Sequence, residues 1–219
     1  MPLLKLCGLR SRRDVELADT YADYAGFILG PVETPRRLAP SEAADLASTL
    51  SRAVPVLVST HASPLEAIEL ASRLGVFRVI QYHGALGPAE SAEAAREAAS
   101  IGLGFAPVSS YVAASYTPCS PAAYEQYYPG HEYILLDAAK KLRHPIGPAG
   151  LKTPPSLVER VARRVRRLGV AGGVNPFNAA IVAAAEPYLV DVASGVESSP
   201  GVKDEELVAM VARIVRGRP

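Results

Sequence analysis

The sequence contains no tryptophan and only two cysteines, Cys7 and Cys119, which lie far apart in its 219 residues. This spacing excludes a cysteine metal cluster, and a reducing cytosol is the default compartment for such a chain. No apolar run approaches the ~20 residues that a membrane-spanning helix requires, and the N-terminus lacks the pattern of a secretory leader. We therefore predict a cytoplasmic protein that does not bind a membrane.

An excess of charge of either sign is also absent, because the net charge is +1. The overall charge therefore gives no indication of nucleic acid as a partner. One basic cluster, residues 160–167, is predicted as the solvated face of a helix whose other face carries Val161, Val165 and Leu168. The hydrophobic content of 49% is sufficient for a sizeable core, and we predict one domain over residues 1–219.

Short apolar segments alternate with longer amphipathic ones along the chain. The predicted strands are 3–7, 24–29, 54–59, 77–82, 103–108, 133–137, 168–171 and 188–192. Their nearly continuous hydrophobicity is typical of parallel strands that are covered on both faces. Eight strands with about eight helices predict a closed (β/α)₈ barrel. An open, doubly wound sheet is the alternative, but no Gly-x-Gly-x-x-Gly follows the first strand.

Several helices carry recognisable start signals. Ser11 and Ser63 are each followed three residues later by an acidic residue, which fits a capping box. Asn175 and Pro176 are predicted to begin another helix. Segments 156–167, 178–185 and 204–216 are predicted as amphipathic helices, and 108–131 as a long loop with a short helix.

Polar residues follow several of the predicted strands. In a (β/α)₈ barrel the carboxyl ends of the strands form the active-site rim. A thiol there can be a base, a nucleophile or a metal ligand, although free cysteine is also among the most buried residue types. One of these side chains, His83, is equally well explained as a turn residue before Gly84, and another, Asp137, as a cap for the next segment. The candidates on this rim are Cys7, Arg36, Gln81, His83, Asp137 and Asp191.

Glycines follow the seventh and eighth predicted strands, as Gly172-Gly173 and Ser194-Gly195. Glycine allows backbone N–H groups to approach an anion closely, and a helix N-terminus adds a favourable dipole. Loops after strands seven and eight form the recurring phosphate site of this fold. The sequence therefore predicts a phosphate-binding site in these two loops.

Six segments together give the sequence a specific resemblance. They are Lys5-Leu6-Cys7-Gly8-Leu9, Thr34-Pro35-Arg36, Gln81-Tyr82-His83-Gly84, Leu135-Leu136-Asp137, Ala171-Gly172-Gly173-Val174-Asn175-Pro176, and residues 191–204 from Asp191-Val192-Ala193-Ser194-Gly195 onward. In this order they resemble the phosphoribosylanthranilate isomerase family over essentially the whole chain. The loop after the sixth strand departs from the family pattern, because Gly147-Pro148-Ala149-Gly150 stands where a Gly-Gly-Ser/Thr-Gly run is usual.

The resemblance implies a barrel enzyme of tryptophan biosynthesis that needs neither a metal nor an organic cofactor. Its substrate is N-(5-phosphoribosyl)anthranilate, which it converts by an Amadori rearrangement into a carboxyphenylamino-deoxyribulose phosphate. Carried over by motif, Cys7 is the general base and Asp137 the general acid. Arg36 holds the anthranilate carboxylate. Substrate contacts are expected from Gln81, His83 and Asp191, and phosphate contacts from Gly150, Gly172, Gly173, Ser194 and Gly195.

Two other functions fit the residues alone. The first is another phosphosugar barrel, such as a ribulose-phosphate epimerase or a histidine-pathway isomerase. Such enzymes commonly use paired aspartates or metal-binding histidines, so the Cys7 thiol favours the anthranilate enzyme. The second is a barrel that binds a phosphosugar or a partner protein without turnover, which the joint presence of Cys7, Asp137 and Arg36 disfavours. No sequence pattern indicates an oligomeric partner.

Overall fold

A closed barrel of eight parallel strands forms the centre of the molecule. The structure is a computed structural model that describes residues 1–110, 130–137, 153–163 and 165–217. Each strand pairs in parallel with the next, and β8 pairs with β1 to close the barrel. This confirms the predicted fold and excludes the open, doubly wound sheet. The strands are β1 (Leu3–Cys7), β2 (Tyr24–Leu29), β3 (Val54–Ser59), β4 (Val79–Tyr82), β5 (Gly104–Ser110), β6 (Ile134–Asp137), β7 (Leu168–Val170) and β8 (Leu189–Val192).

Helices cover the outside of the barrel. They are α1 (Arg12–Tyr21), α2 (Pro40–Ala47), α3 (Pro64–Leu74), α4 (Pro88–Ser100), α5 (Pro155–Ala162), α6 (Ala179–Ala184) and α7 (Glu205–Val215). A 3₁₀ turn (Ser194–Val196) and an antiparallel ribbon of β9 (Glu197–Ser199) and β10 (Val202–Lys203) lie between β8 and α7. In the residues that the structure describes, no helix has the length and apolar character needed to span a membrane.

The N-cap side chains of α1 and α3 fix the starts of these helices, although only α1 has the full capping box predicted at both serines. The Ser11 hydroxyl accepts a hydrogen bond from Asp14 N at 3.2 Å, and the Asp14 carboxylate accepts one from Ser11 N at 3.0 Å. This reciprocal pair is a capping box. At α3 the Ser63 hydroxyl accepts from Glu66 N at 3.2 Å, and the helix then begins with Pro64.

Asp19, near the end of α1, holds the loop that leads into β3. Its carboxylate accepts three backbone hydrogen bonds, from Ser51 N at 2.7 Å, Arg52 N at 3.0 Å and Ala53 N at 2.9 Å. Partial burial raises the pKa of Asp19, but the three N–H donors outweigh it, so the pKa is lowered. The charged carboxylate therefore stabilises the folded loop.

The core has two parts on either side of the barrel wall. Successive side chains of a strand point to opposite faces, so Leu4 and Leu6 pack toward the helices. Cys7 belongs to the inner cluster, with Tyr24, Val56, Tyr133 and Leu135 among its members. By the same alternation Lys5 faces the barrel interior, where it is completely buried.

Several predicted boundaries are wrong. β4 begins at Val79 rather than residue 77, and β5 continues through Ser110, so residues 108–110 are strand rather than loop. The helix predicted over 156–167 ends at Ala162 because the chain must turn there to enter β7. Val165 is buried in that turn and Leu168 in β7, so neither lies on the predicted helix face with Val161. Residues 111–129 of the predicted loop, with Cys119, lie outside the described residues.

Candidate active site

A cavity of about 380 Å³ opens at the carboxyl ends of the barrel strands. This volume is in the range of pockets that hold small organic ligands. Gly150, a predicted phosphate contact, lies outside the described residues. The other residues that the sequence singles out all line this cavity: Cys7, Arg36, Gln81, His83, Asp137, Gly172, Gly173, Asp191, Ser194 and Gly195.

Cys7 lies at the end of β1, beside a buried ion pair. Lys5 Nζ donates a hydrogen bond to Asp191 Oδ2 at 2.7 Å. The parallel register of β1 and β8 sets this pair, because Lys5 and Asp191 are direct strand partners. Burial lowers the pKa of Lys5, but Asp191 and Cys7 together raise it above its ordinary value. The buried lysine therefore remains a cation.

Several charges act on the Cys7 thiol. Burial is the largest influence and raises the pKa of Cys7, while the Lys5 ammonium lowers it. The Asp191 carboxylate raises the pKa further and Lys203 lowers it, with a net rise. At rest Cys7 is therefore a protonated thiol. The Lys5 ammonium is thus a cation beside the thiol, but burial outweighs its effect on the pKa of Cys7.

Arg36 approaches the cavity from the loop after β2 and is held by Glu197. The guanidinium Nε donates to Glu197 Oε1 at 2.7 Å, and Nη2 donates to Glu197 Oε2. Glu197 also accepts from Lys203 Nζ at 2.9 Å and from Gly201 N at 3.0 Å. A bidentate pair of this kind fixes the plane of the guanidinium.

Charge and space both favour this position of Arg36. Burial raises the pKa of Glu197, but the hydrogen bonds from Arg36, Lys203 and Gly201 lower it to about 2. Glu197 is therefore a carboxylate at neutral pH. Gly8 leaves the space that the arginine stem occupies, because a Cβ atom at Gly8 would lie 2.6 Å from Arg36 Cδ.

A chain of hydrogen bonds links the barrel interior to His83. Tyr133 donates through its hydroxyl to Gln81 Oε1 at 2.9 Å, and Gln81 Nε2 lies 2.8 Å from His83 Nε2. Since the Gln81 carbonyl oxygen accepts from Tyr133, its amide nitrogen donates to His83. His83 Nε2 is then an acceptor, and the proton of the neutral ring is on Nδ1. His83 directly follows Tyr82, the last residue of β4, and its side chain lines the cavity.

Two asparagines organise the loop after β7. Asn178 Nδ2 and Asn175 Nδ2 both donate to Gly173 O, at 2.9 and 3.2 Å. Asn175 Oδ1 accepts from Phe177 N at 2.9 Å and so forms a local turn. The assigned helix α6 begins at Ala179, after Asn178, but the cap predicted at Asn175-Pro176 is present one turn earlier, because Asn175 O accepts a hydrogen bond from Ala179 N at 2.9 Å.

The loops after β7 and β8 lie against each other at Gly195. A Cβ atom at Gly195 would lie only 1.8 Å from Val174 O, so any larger residue would push the loops apart. Gly172 and Gly173, with φ of 96° and 83°, complete the first loop. The two loops thus form one continuous wall of the cavity, beside Ser194.

Asp137 is the last residue of β6 and lines the same cavity as Cys7. On one side of the barrel, β7 and β8 separate its strand from β1. The two side chains can therefore reach a ligand from different directions. The segment that follows Asp137, where the capping alternative applies, lies outside the described residues.

Four important residues escape the site prediction made from sequence, namely Lys5, Asn178, Glu197 and Lys203. All lie in or near the quoted motifs, but their partners are distant in sequence or set by local turns. Among the residues described, no group of three or more His, Cys, Asp or Glu side chains is arranged to hold a metal ion.

Comparison with known proteins agrees with this arrangement. The family model described as N-(5'-phosphoribosyl)anthranilate (PRA) isomerase matches residues 4–213. The N-(5'-phosphoribosyl)anthranilate isomerase of Pyrobaculum islandicum is 40% identical over 211 residues, covering 96% of each chain. That of Pyrobaculum aerophilum is 37% identical and covers 98% of this chain and 99% of its own.

A solved structure extends the similarity to three dimensions. The phosphoribosyl anthranilate isomerase of Thermus thermophilus superposes with a TM-score of 0.78 at 28% identity, covering 99% of both chains. The similarity therefore covers the whole barrel, including the cavity end of the strands.

Proposed function

The chain belongs to the phosphoribosylanthranilate isomerase family and catalyses the isomerase step of tryptophan biosynthesis, and on that premise we propose that Cys7 and Asp137 carry out its proton transfers. The substrate is a phosphoribosyl amine of anthranilate, and the product is the corresponding deoxyribulose phosphate. The observation that carries this proposal is the convergence of a thiol, a carboxyl group, an arginine and two glycine-containing loops on one cavity.

The first step is ring opening. Asp137, as general acid, gives its proton to the ring oxygen of the ribose, and the C1–O bond breaks to leave an iminium at C1. The resulting positive charge makes the proton on C2 more acidic. Asp137 regains a proton from solvent after the reaction.

The second step is removal of the C2 proton. Cys7, as thiolate, takes this proton, and the electron pair of the C–H bond neutralises the iminium to give an enolamine. Tautomerisation then moves the hydroxyl proton to C1 and yields the ketone. Although burial raises the pKa of Cys7 at rest, the adjacent iminium of the bound intermediate favours the thiolate.

Substrate binding uses the two charged ends of the substrate. We assign the anthranilate carboxylate to Arg36, whose guanidinium is oriented by Glu197. The phosphate is assigned to the wall formed by Gly172, Gly173, Ser194 and Gly195, whose loops are linked at Val174. Three further polar side chains of the cavity, Gln81, His83 and Asp191, are assigned to the ribose and the amine. Gly150 stays a predicted phosphate contact.

Two broader expectations belong with this proposal. We propose that residues 1–219 act as one domain and that the enzyme works in the cytoplasm on a small-molecule substrate, without a nucleic-acid or membrane partner. The family match also sets aside the epimerase and histidine-pathway alternatives that the phosphate loops alone allow.

Growth of a tryptophan auxotroph that lacks this isomerase tests the proposal. The wild-type chain should restore growth, whereas Cys7→Ala and Asp137→Asn should not, at equal expression. Arg37→Met changes an exposed neighbour of Arg36 and is the matched control that should restore growth. Failure of the wild-type chain would support a barrel that binds without turnover, and growth at the wild-type rate with either site variant would remove that residue from the mechanism.

A further inference from the structure

Lys5 is a buried cation with no part in the two proton transfers described above. Its side chain is completely inaccessible to solvent inside the barrel, where an unpaired charge is costly. Asp191 is its hydrogen-bonded partner at 2.7 Å, and the pair is fixed by strand register. A purely structural ion pair would give both carboxylate oxygens a hydrogen-bond partner, but this pair does not.

The second oxygen of Asp191 has no partner in the described structure. Asp191 Oδ1 is buried without a hydrogen bond, and the residue lines the cavity at 6% exposure. A buried carboxylate oxygen normally accepts a hydrogen bond, so this one is placed to accept from a bound ligand. The ion pair therefore belongs to the functional cavity rather than to the apolar core.

Lys5 also lies beside the Cys7 thiol. Both side chains face the same point of β2, because a Cβ atom at Gly26 would lie 3.0 Å from Cys7 Sγ and 3.2 Å from Lys5 Nζ. The absence of a side chain at Gly26 allows the sulfur and the ammonium to approach each other. An ammonium this close stabilises a thiolate relative to a thiol.

Other titratable groups around Cys7 are less well placed to do this. Arg36 is engaged by Glu197 in a bidentate pair, and Lys203 donates to Ala193 O and to Glu197. Among the described residues, the titratable and charged groups that act on the thiol are Lys5 on β1, Arg36 after β2, Tyr133 just before β6, Asp191 on β8 and Lys203 on β10, and Asp137 at the end of β6 lines the same cavity.

We propose that Lys5 is the positioning residue of the Cys7 base, and that its ammonium, anchored by Asp191, is the counter-charge that stabilises the thiolate. This inference rests on the proposed role of Cys7. The proton that leaves the thiol passes to solvent water before the C2 proton is taken. Lys5 keeps its own proton throughout and makes no bond to the substrate.

Alkylation of Cys7 by iodoacetamide across a pH series tests this inference without requiring turnover. In a Cys119→Ser background Cys7 is the only thiol, and Cys7→Ser/Cys119→Ser gives the blank. Lys5→Met alone leaves Asp191 buried and unpaired, so the informative comparison is Asp191→Asn with Lys5→Met/Asp191→Asn. Both variants lack the carboxylate, and they differ only in the ammonium.

The midpoint of the alkylation profile should lie about one to three pH units higher in the double variant than in Asp191→Asn. Coincident midpoints would overturn the inference. Lys5→Gln/Asp191→Asn, which keeps a polar pair, serves the same comparison if the methionine variant does not fold. Full turnover by Cys7→Ser would instead remove Cys7 as the base, and the alkylation midpoints would still report on Lys5 separately.

Discussion

Replacing Glu197 by glutamine removes the charge that holds Arg36 and Lys203 while keeping the shape of the side chain. The pKa of Glu197 is lowered from its ordinary value of 4.5 to about 2. At about 1.4 kcal/mol per pH unit, that difference corresponds to roughly 3 kcal/mol of stability. Part of it is screened by solvent near Arg36, so we expect Glu197→Gln to lower the free energy of unfolding by about 2 kcal/mol.

The effect of Glu197→Gln on the free energy of unfolding should depend on pH. Because the folded-state pKa of Glu197 is depressed, its contribution is fully present above about pH 4.5 and is lost as the pH falls toward 2. Urea unfolding of wild type and variant should therefore differ most at neutral pH and by less than half as much near pH 3. Glu205→Gln, in an exposed pair with Arg13, is the control and should cost well under 1 kcal/mol. Equal stability of wild type and Glu197→Gln at neutral pH would refute this reasoning.

Three further changes test separate parts of the account. Arg36→Met should raise KM by about 10- to 100-fold with a smaller effect on kcat, because a hydrogen-bonded charge pair to the substrate carboxylate is lost. Gly195→Ala should raise KM and weaken competitive inhibition by inorganic phosphate, because its Cβ would lie 1.8 Å from Val174 O. Asp19→Asn should lower the free energy of unfolding by about 1 kcal/mol at neutral pH, after allowance for solvent screening. This loss should diminish below about pH 4, since the pKa of Asp19 is depressed in the fold.

Each of these changes has a matched control. Arg37→Met should leave KM unchanged, since Arg37 is exposed. Gly87→Ala adds a methyl group that meets only the flexible end of Glu90, at 3.3 Å. Asp45→Asn alters an exposed carboxylate on α2. If a control matches its test variant, the structural reason given for that variant is incorrect.

The barrel could be predicted from sequence because its strands are short, apolar and bounded by polar or glycine residues. The predicted bounds of β1, β2 and β3 agree with the structure, and Cys7 ends β1 as expected. Once the strand ends are known, the fold itself brings the polar residues of the rim together. This is why the cavity lining could be anticipated without knowledge of any contact.

The partners of the buried charges could not be predicted in the same way. Lys5 meets Asp191 across 186 residues, and Arg36 meets Glu197 across 161, so both pairs depend on the closed barrel and its register. Alternation along β1 places Lys5 and Cys7 on one side of the strand, but it does not show what lies opposite them. The protonation state of the Cys7 thiol depends on burial and on these neighbouring charges, which the sequence does not show.

The helix start near Asn175 differs from the prediction by one turn. Asn175 Oδ1 accepts from Phe177 N and Asn175 O accepts from Ala179 N, as at a helix start, whereas the assigned α6 begins at Ala179. The asparagine that follows, Asn178, then fixes the loop through Gly173 O. Sequence spacing alone does not distinguish these two uses of an asparagine.

Turnover of N-(5-phosphoribosyl)anthranilate by the purified enzyme, followed by anthranilate fluorescence, tests the central claim most directly. With Cys7 as base and Asp137 as acid, Cys7→Ser and Asp137→Asn should each lower kcat by about 10²- to 10⁴-fold. Their KM values should change much less, because Arg36 and the glycine-containing loops still bind the substrate. Turnover near the wild-type rate in either variant would contradict the role assigned to that residue.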